Sequence, residues 1–170
     1  QLALEQILEH FPGVYTIIHS GRDEEIEDER HLRQFRLTEE EFEWSLVGNP
    51  GETYDEEKMY EALLAHIENA VRYIAQKTIA DNTEILSTYY KRDTANLIQS
   101  LQLPLLRISY EKALEVLRKN GFPELQWGDD LKTNHEATIV QLLNTSPLNQ
   151  PVFIMRYPKE IKFFNMKVST

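Results

Sequence analysis

Between residues 22 and 35 the chain sets Arg22 and Arg30 at either end of six carboxylates, then closes on His31, Arg33 and Phe35. A guanidinium at the end of a strand can grip a phosphate through two parallel charge-assisted bonds. An aromatic ring at the start of the returning strand can stack on a planar base such as adenine. Glu24 could accept a hydrogen bond from an exocyclic amine, and His31 could reach a terminal phosphate. The same run also reads as a solvated acidic loop whose arginines merely offset its carboxylates, and charge runs are usually surface. Residue types alone leave both readings open.

The elements on either side must aim these side chains. Leu2, Leu4, Ile7 and Leu8 recur at helical spacing, and Phe11-Pro12-Gly13 stops that helix. Residues 14–19 are β-branched and aromatic and predict a strand; residues 35–44 alternate well enough to predict the strand that returns. The polar run 20–34 then becomes the loop of an antiparallel hairpin, and loops of this length are uncommon unless functional or disordered. After a turn at residues 48–54, Asp55 and Lys58 open a long helix to about Gln76, with Met59, Leu63, Ile67 and Val71 expected inward. Residues 83–101 predict another helix, ended by Pro104. Residues 107–122 predict a strand end and a helix, with Ser109 as N-cap and Gly121 at the C-cap. A short helix over 131–144 follows, then strands over 150–158 and 161–168 split by a Pro-containing turn. Helices inserted between antiparallel strands give an α+β class.

A chain of 170 residues with 41% hydrophobic and 27% charged residues fits one compact domain with a real core. No apolar run approaches a membrane span and no signal segment opens the chain, so a cytoplasmic protein with no membrane partner is the expectation. The absence of cysteine excludes disulfides and thiolate metal sites. With a formal charge of −10, the chain is a poor non-specific nucleic-acid binder. His10, His19, His66 and His135 share no metal-ligand spacing, so no metal site is expected. His135 and Glu136 are expected to make structural hydrogen bonds. Trp127 to Asp130 predict a turn and helix cap, with Trp127 in the core. Lys162, on the last strand, could meet a substrate carboxylate or stand as an ordinary exposed lysine. Both ends of the chain look like cuts through structure.

Arg22, Glu24, Arg30-His31-Leu32 and Phe35, followed by Thr38 to Phe42, resemble motif 2 of class II aminoacyl-tRNA synthetases of the aspartyl/asparaginyl/lysyl subgroup. The resemblance extends over nearly the whole chain: residues 1–6 (QLALEQ) are similar to the family's QLYLEA. Residues 127–136 (WGDDLKTNHE) resemble the asparaginyl WGxDLxxEHE, and residues 151–166 the family's PVFVxxYPxxIKxFYM. Aspartyl enzymes typically place a lysine where this chain has Leu4, so a carboxylate substrate would lack its cation. That favours the asparaginyl branch and a neutral amide.

The resemblance implies an incomplete class II core, one partial catalytic domain over 1–170 without an anticodon-binding domain. Its implied activity is ATP-dependent activation of asparagine to an aminoacyl-adenylate, with transfer to tRNA in a complete homodimeric protein. Arg22 would clamp the α-phosphate and the substrate carboxylate as the catalytic residue. Glu24 would orient adenine, Phe35 stack on it and His31 contact the γ-phosphate. Glu39 and Lys162 would hold the amino acid, asparagine or aspartate. Magnesium would be bound by residues outside this chain, and tRNA would be met only through parts outside it. Departures from the pattern are Gly21 for a phenylalanine, Gln34 for a glutamate and Asn165 for a tyrosine. The chain also lacks motif 1, the Mg-binding strand and the motif 3 arginine. Those departures keep two other readings in play. One is a non-catalytic paralogue that binds nucleotide, amino acid or a partner; the other is a free-standing relative that makes asparagine from aspartate.

Overall fold

The computed structural model describes residues 2–23, 32–145, 148, 150–162 and 168, in two compact units, 1–67 and 68–170. In the first unit, α1 (Leu2–Leu8) is followed by β1 (Gly13–Gly21) and β2 (Gln34–Phe42). The strands pair antiparallel, with Thr16 opposite Glu39, Ile18 opposite Leu37 and Ser20 opposite Phe35. Leu4 of α1 is buried. A 3-10 turn at Trp44–Leu46 then leads to α2 (Glu56–Asp81), whose first turn is tied by Asp55 accepting from the Lys58 backbone N–H (3.0 Å).

α2 buries a different face from the one expected. Leu63, Ile67 and Val71 are 41%, 37% and 40% exposed. Leu64 and Ile79 are buried instead, and Glu68 and Arg72 lie on the same side. Apolar spacing favours the Leu63-Ile67-Val71 stripe; polar pairing makes the charged one buriable. Glu68 Oε1 accepts from Arg72 Nη2 (2.6 Å) and from the Leu105 backbone N–H (3.1 Å), and Arg72 also donates to the Leu103 carbonyl (3.1 Å). The side chains thus satisfy the connector leading into the next strand.

The expected continuous helix over 83–101 is broken. A π-type turn at Ile85–Tyr89 ends at Lys91, whose φ of 53° lies in the left-handed region. α3 (Thr94–Gln102) starts afresh on Asp93, whose side chain accepts from the Asn96 N–H (2.9 Å).

β3 (Leu106–Ser109) runs into α4 (Tyr110–Lys119), then α5 (Thr133–Leu143) and β4 (Val152–Met155), which pairs parallel with β3. Ser109 caps α4 by accepting from the Lys112 N–H, and Gly121 takes a φ of 106° just after its end. Tyr110, Ala113, Leu114 and Leu117 recur at the i, i+3, i+4, i+7 spacing of one helix face and are buried against Ile108, Leu125, Leu131 and Ile139. That cluster is the core of the second unit.

His135 is buried, its Nδ1 accepting from the Lys132 backbone N–H at the start of α5 (3.1 Å), its ring edge-on to Phe122. It is structural, as expected. Trp127 is not in the core: it is 58% exposed, touching Tyr110 edge-on. Gly128, at φ 94°, makes the expected turn, but the residue before α5 is Lys132 rather than an aspartate. The strand expected over 161–168 falls largely outside the described residues, and Lys159–Ile161 is a 3-10 turn.

Candidate functional site

The hairpin sorts the predicted residues by face. Successive side chains on a strand alternate, and directly paired residues share a side. Phe35, Leu37, Glu39 and Glu41 therefore lie with Val14, Thr16, Ile18 and Ser20, while Tyr15, Ile17 and His19 lie with Arg36, Thr38 and Glu40. The pairing continues one step past β1, where the Arg22 N–H donates to the Arg33 carbonyl (2.9 Å). This carries Arg22 to the Phe35 end of the first face, and its guanidinium carbon is 5.9 Å from the Phe35 ring centre. Gly21 is the last residue of β1, opposite Gln34. The structure thus brings Arg22, Phe35 and Glu39 onto one side of one hairpin. Phe35 and Glu39 are separated by about 14 Å, from four residues of strand. Glu24 and His31 lie outside the described residues.

Lys162 belongs to the second unit and follows a 3-10 turn rather than extending a strand. Its ammonium rests 3.8 Å from the centre of the Tyr157 ring, which in turn packs on Tyr110 at 5.0 Å. Burial, then the charges of Glu136 and Asp130, raises the Tyr157 phenol above its ordinary pKa. The ring face gives Lys162 a cation–π partner, an account of its position that needs no substrate.

Two residues of this region were missed by sequence reasoning. Glu41 shares its face with Glu39 and Phe35, a parity the alternation of β2 could have shown. Its Oε1 is buried and finds no hydrogen-bond partner among the described residues. Burial first, then the charges of Glu5 and Glu39, holds its pKa above the usual carboxylate range. A carboxyl whose folded pKa is raised favours the folded state most at pH below its unfolded value, and that contribution is lost as pH rises through the folded pKa. Glu41→Gln is therefore expected to melt higher than wild type at neutral pH. The gain should shrink on acidification through the carboxylate range, as thermal melts at stepped pH will show.

The second missed residue is His66 of α2, whose Nε2 meets Glu40 Oε2 while its ring packs on Phe42 at 5.6 Å. Only the fold brings together residues 26 apart in sequence. Together with Gly13, Tyr15 and Glu41 they line a cavity of about 450 Å3 that does not include Arg22, Phe35 or Glu39 in its wall. Among the described residues no group of three or more His, Asp or Glu side chains is placed to hold a metal ion. No described helix is long and apolar enough to cross a membrane.

With this geometry in place, comparison with known proteins is informative. Residues 1–170 match the family of class II tRNA synthetases (D, K and N). The chain belongs to that family. Asparagine–tRNA ligases from Pyrococcus furiosus and Pyrococcus horikoshii are each 30% identical to it over 167 residues, 98% of the chain. The chain spans about a third (34%) of the length of each. The crystal structure of asparaginyl-tRNA synthetase from P. horikoshii complexed with asparaginyl-adenylate superposes with a TM-score of 0.77 at 28% identity. That superposition covers 99% of this chain and 34% of the other. The Entamoeba histolytica asparaginyl-tRNA synthetase, at 19% identity and a TM-score of 0.66, shares the fold. This member of the class II family thus has the expected α+β architecture, with an antiparallel hairpin carrying the motif 2 residues and a separate parallel strand pair in the second unit.

Proposed function

We propose that the two units are parts of one catalytic domain that activates asparagine with ATP, forming an aminoacyl-adenylate that a complete protein passes to tRNA. The observation that carries this reading is the common face of Arg22, Phe35 and Glu39. An elongated ligand laid along it would meet a stacking ring and a guanidinium at one end and a carboxylate at the other. Phe35 stacks on adenine, and Arg22 neutralises charge on the α-phosphate as the substrate carboxylate attacks it. Glu39 accepts from the α-ammonium or the amide. No protein nucleophile takes part; alignment of the two reactants and local charge lower the barrier. Glu24 on adenine and His31 on the γ-phosphate complete the assignment by family resemblance. The relatives that are asparagine–tRNA ligases, and Leu4 in place of a cation, support asparagine over aspartate. By family resemblance, magnesium would offset phosphate charge in a complete protein, with its ligands outside this chain.

Calorimetric titration of ATP with magnesium and asparagine tests the reading on this chain and on Arg22→Ala. Saturable binding that falls at least tenfold in the variant supports it, because a charge-assisted phosphate contact is worth about 1.5–3 kcal/mol. A folded wild-type chain that takes up neither ligand would leave two accounts, an incomplete site or a degenerate paralogue, and sequencing the gene past Thr170 would decide between them.

A further inference from the structure

The face of the hairpin turned away from Arg22, Phe35 and Glu39 walls a cavity of its own. Tyr15 pairs directly with Glu40, and Gly13 with Phe42, so Tyr15, Glu40 and Phe42 share that face at the end remote from the loop. Ala62 and His66, one turn apart on α2, complete the wall with Val47, around a space of about 450 Å3. A recess of this size, apolar but for one polar corner, has the ordinary form of a small-molecule site.

The polar corner is fixed from two sides. The His66 ring packs on Phe42 at 5.6 Å, and its Nε2 meets Glu40 Oε2. Among the described residues the Glu40 carboxylate has no other partner, so Oε1 is left to accept from a ligand. The corner is negative whenever His66 is neutral, and its charge cancels when His66 takes up a proton. The remaining titratable groups of the wall, Tyr15 and Glu41, supply no cation. Arg36 and His19 share the face but stand four residues farther along it, about 14 Å away. Lys58, two turns before His66 on α2, is held by Glu52 (2.8 Å).

We propose that this cavity binds a small organic cation, a primary ammonium on a flat apolar body, its N–H donating to Glu40 and its ring lying against Tyr15 and Phe42. An ammonium gains a charge-assisted bond to the carboxylate and a favourable approach to the two aromatic rings. A ligand carboxylate would meet Glu40 with like charge, which sets this class apart from free amino acids. His66 is a competitor in this arrangement: its proton and the ligand ammonium seek the same carboxylate. Affinity should therefore rise with pH through the histidine range. The inference does not depend on asparagine activation, whose residues lie on the opposite face.

Benzylammonium titrated into the chain and followed by amide shifts in two-dimensional NMR tests it, with phenylacetate and benzyl alcohol as matched probes. Saturable shifts at Tyr15, Phe42, Ala62 and His66 with the cation, and weaker binding of both matched probes, support it. Glu40→Gln should weaken benzylammonium about fivefold, the difference between a charged and a neutral hydrogen bond. Wild-type affinity should rise roughly threefold from about pH 5.5 to about pH 8, and His66→Gln should flatten that rise. Both substituted side chains are about half-exposed, so the variants should keep the fold, and each spectrum reports whether they do. No saturable shift in a folded chain overturns the proposal, as does equal binding of benzyl alcohol, of phenylacetate or by Glu40→Gln. Shifts centred on Arg22, Phe35 and Glu39 would put the ligand on the other face and overturn it as well.

Discussion

Glu68→Ala is expected to destabilise the second unit by about 3 kcal/mol, the lower end for breaking a buried ion pair from one side. The carboxylate is 13% exposed and holds three groups: Arg72 at 2.6 Å, the Leu105 backbone N–H at 3.1 Å, and Arg107 at 3.9 Å. Removing it leaves two guanidiniums facing each other's field and a backbone donor without its acceptor. Arg72 Nε, already buried without a partner among the described residues, adds to the imbalance. Glu68→Gln keeps an acceptor for the N–H and removes only the charge, so it should cost distinctly less. Urea unfolding followed by far-UV circular dichroism separates the cases. Midpoints for both variants that coincide with wild type would show that the cluster is held by packing and not by charge.

Leu117→Ala should cost a comparable 2–5 kcal/mol, by another mechanism. Leu117 is fully buried in the cluster with Ile108, Leu125 and Ile139. Its carbonyl also accepts the Asn120 and Phe122 N–H groups that close α4 (2.9 and 3.1 Å). Truncation opens a void that neighbours from three separate elements cannot close together. Leu117→Met, nearly volume-conserving, should cost less than about 1.5 kcal/mol. If the alanine and methionine variants unfold at the same urea concentration, the core around α4 is looser than its burial indicates.

The parts of the fold written in local chemistry were legible. Ser109 and Gly121 mark α4 because a hydroxyl acceptor and a residue free of Cβ strain are what helix ends require. The hairpin followed from β-branched and alternating segments, and its register put Arg22 beside Phe35. Legibility failed where tertiary pairing overrode hydrophobicity. Spacing pointed to the apolar Leu63-Ile67-Val71 face of α2, one residue away from Leu64-Glu68-Arg72. Only the Leu103 and Leu105 backbone groups make the charged face the buried one. The helix break at Lys91 has no glycine or proline to announce it, though Asp93, three residues before Asn96, was a readable cap. Trp127 was assigned to the core by residue type, and the turn at Gly128 left it at the surface. Within the candidate site, Phe35, Arg22 and Glu39 could be named from sequence. The unpartnered oxygen of Glu41 and the Glu40–His66 contact could not, since both depend on what the folded chain places opposite them.

The chain's two tryptophans fall one in each unit, which gives each unit its own optical signature. The Trp44 indole N–H donates to the Glu52 carbonyl (3.3 Å), with the Lys58 ammonium 5.4 Å from its ring and Tyr54 edge-on beside it. Trp127 lies open to water against Tyr110. Acrylamide should therefore quench Trp127 more efficiently than Trp44. Trp44→Phe and Trp127→Phe would turn the intrinsic emission of the protein into two independent channels. Opening of the hairpin unit and melting of the α4 core could then be timed separately in one stopped-flow trace, without attaching any dye.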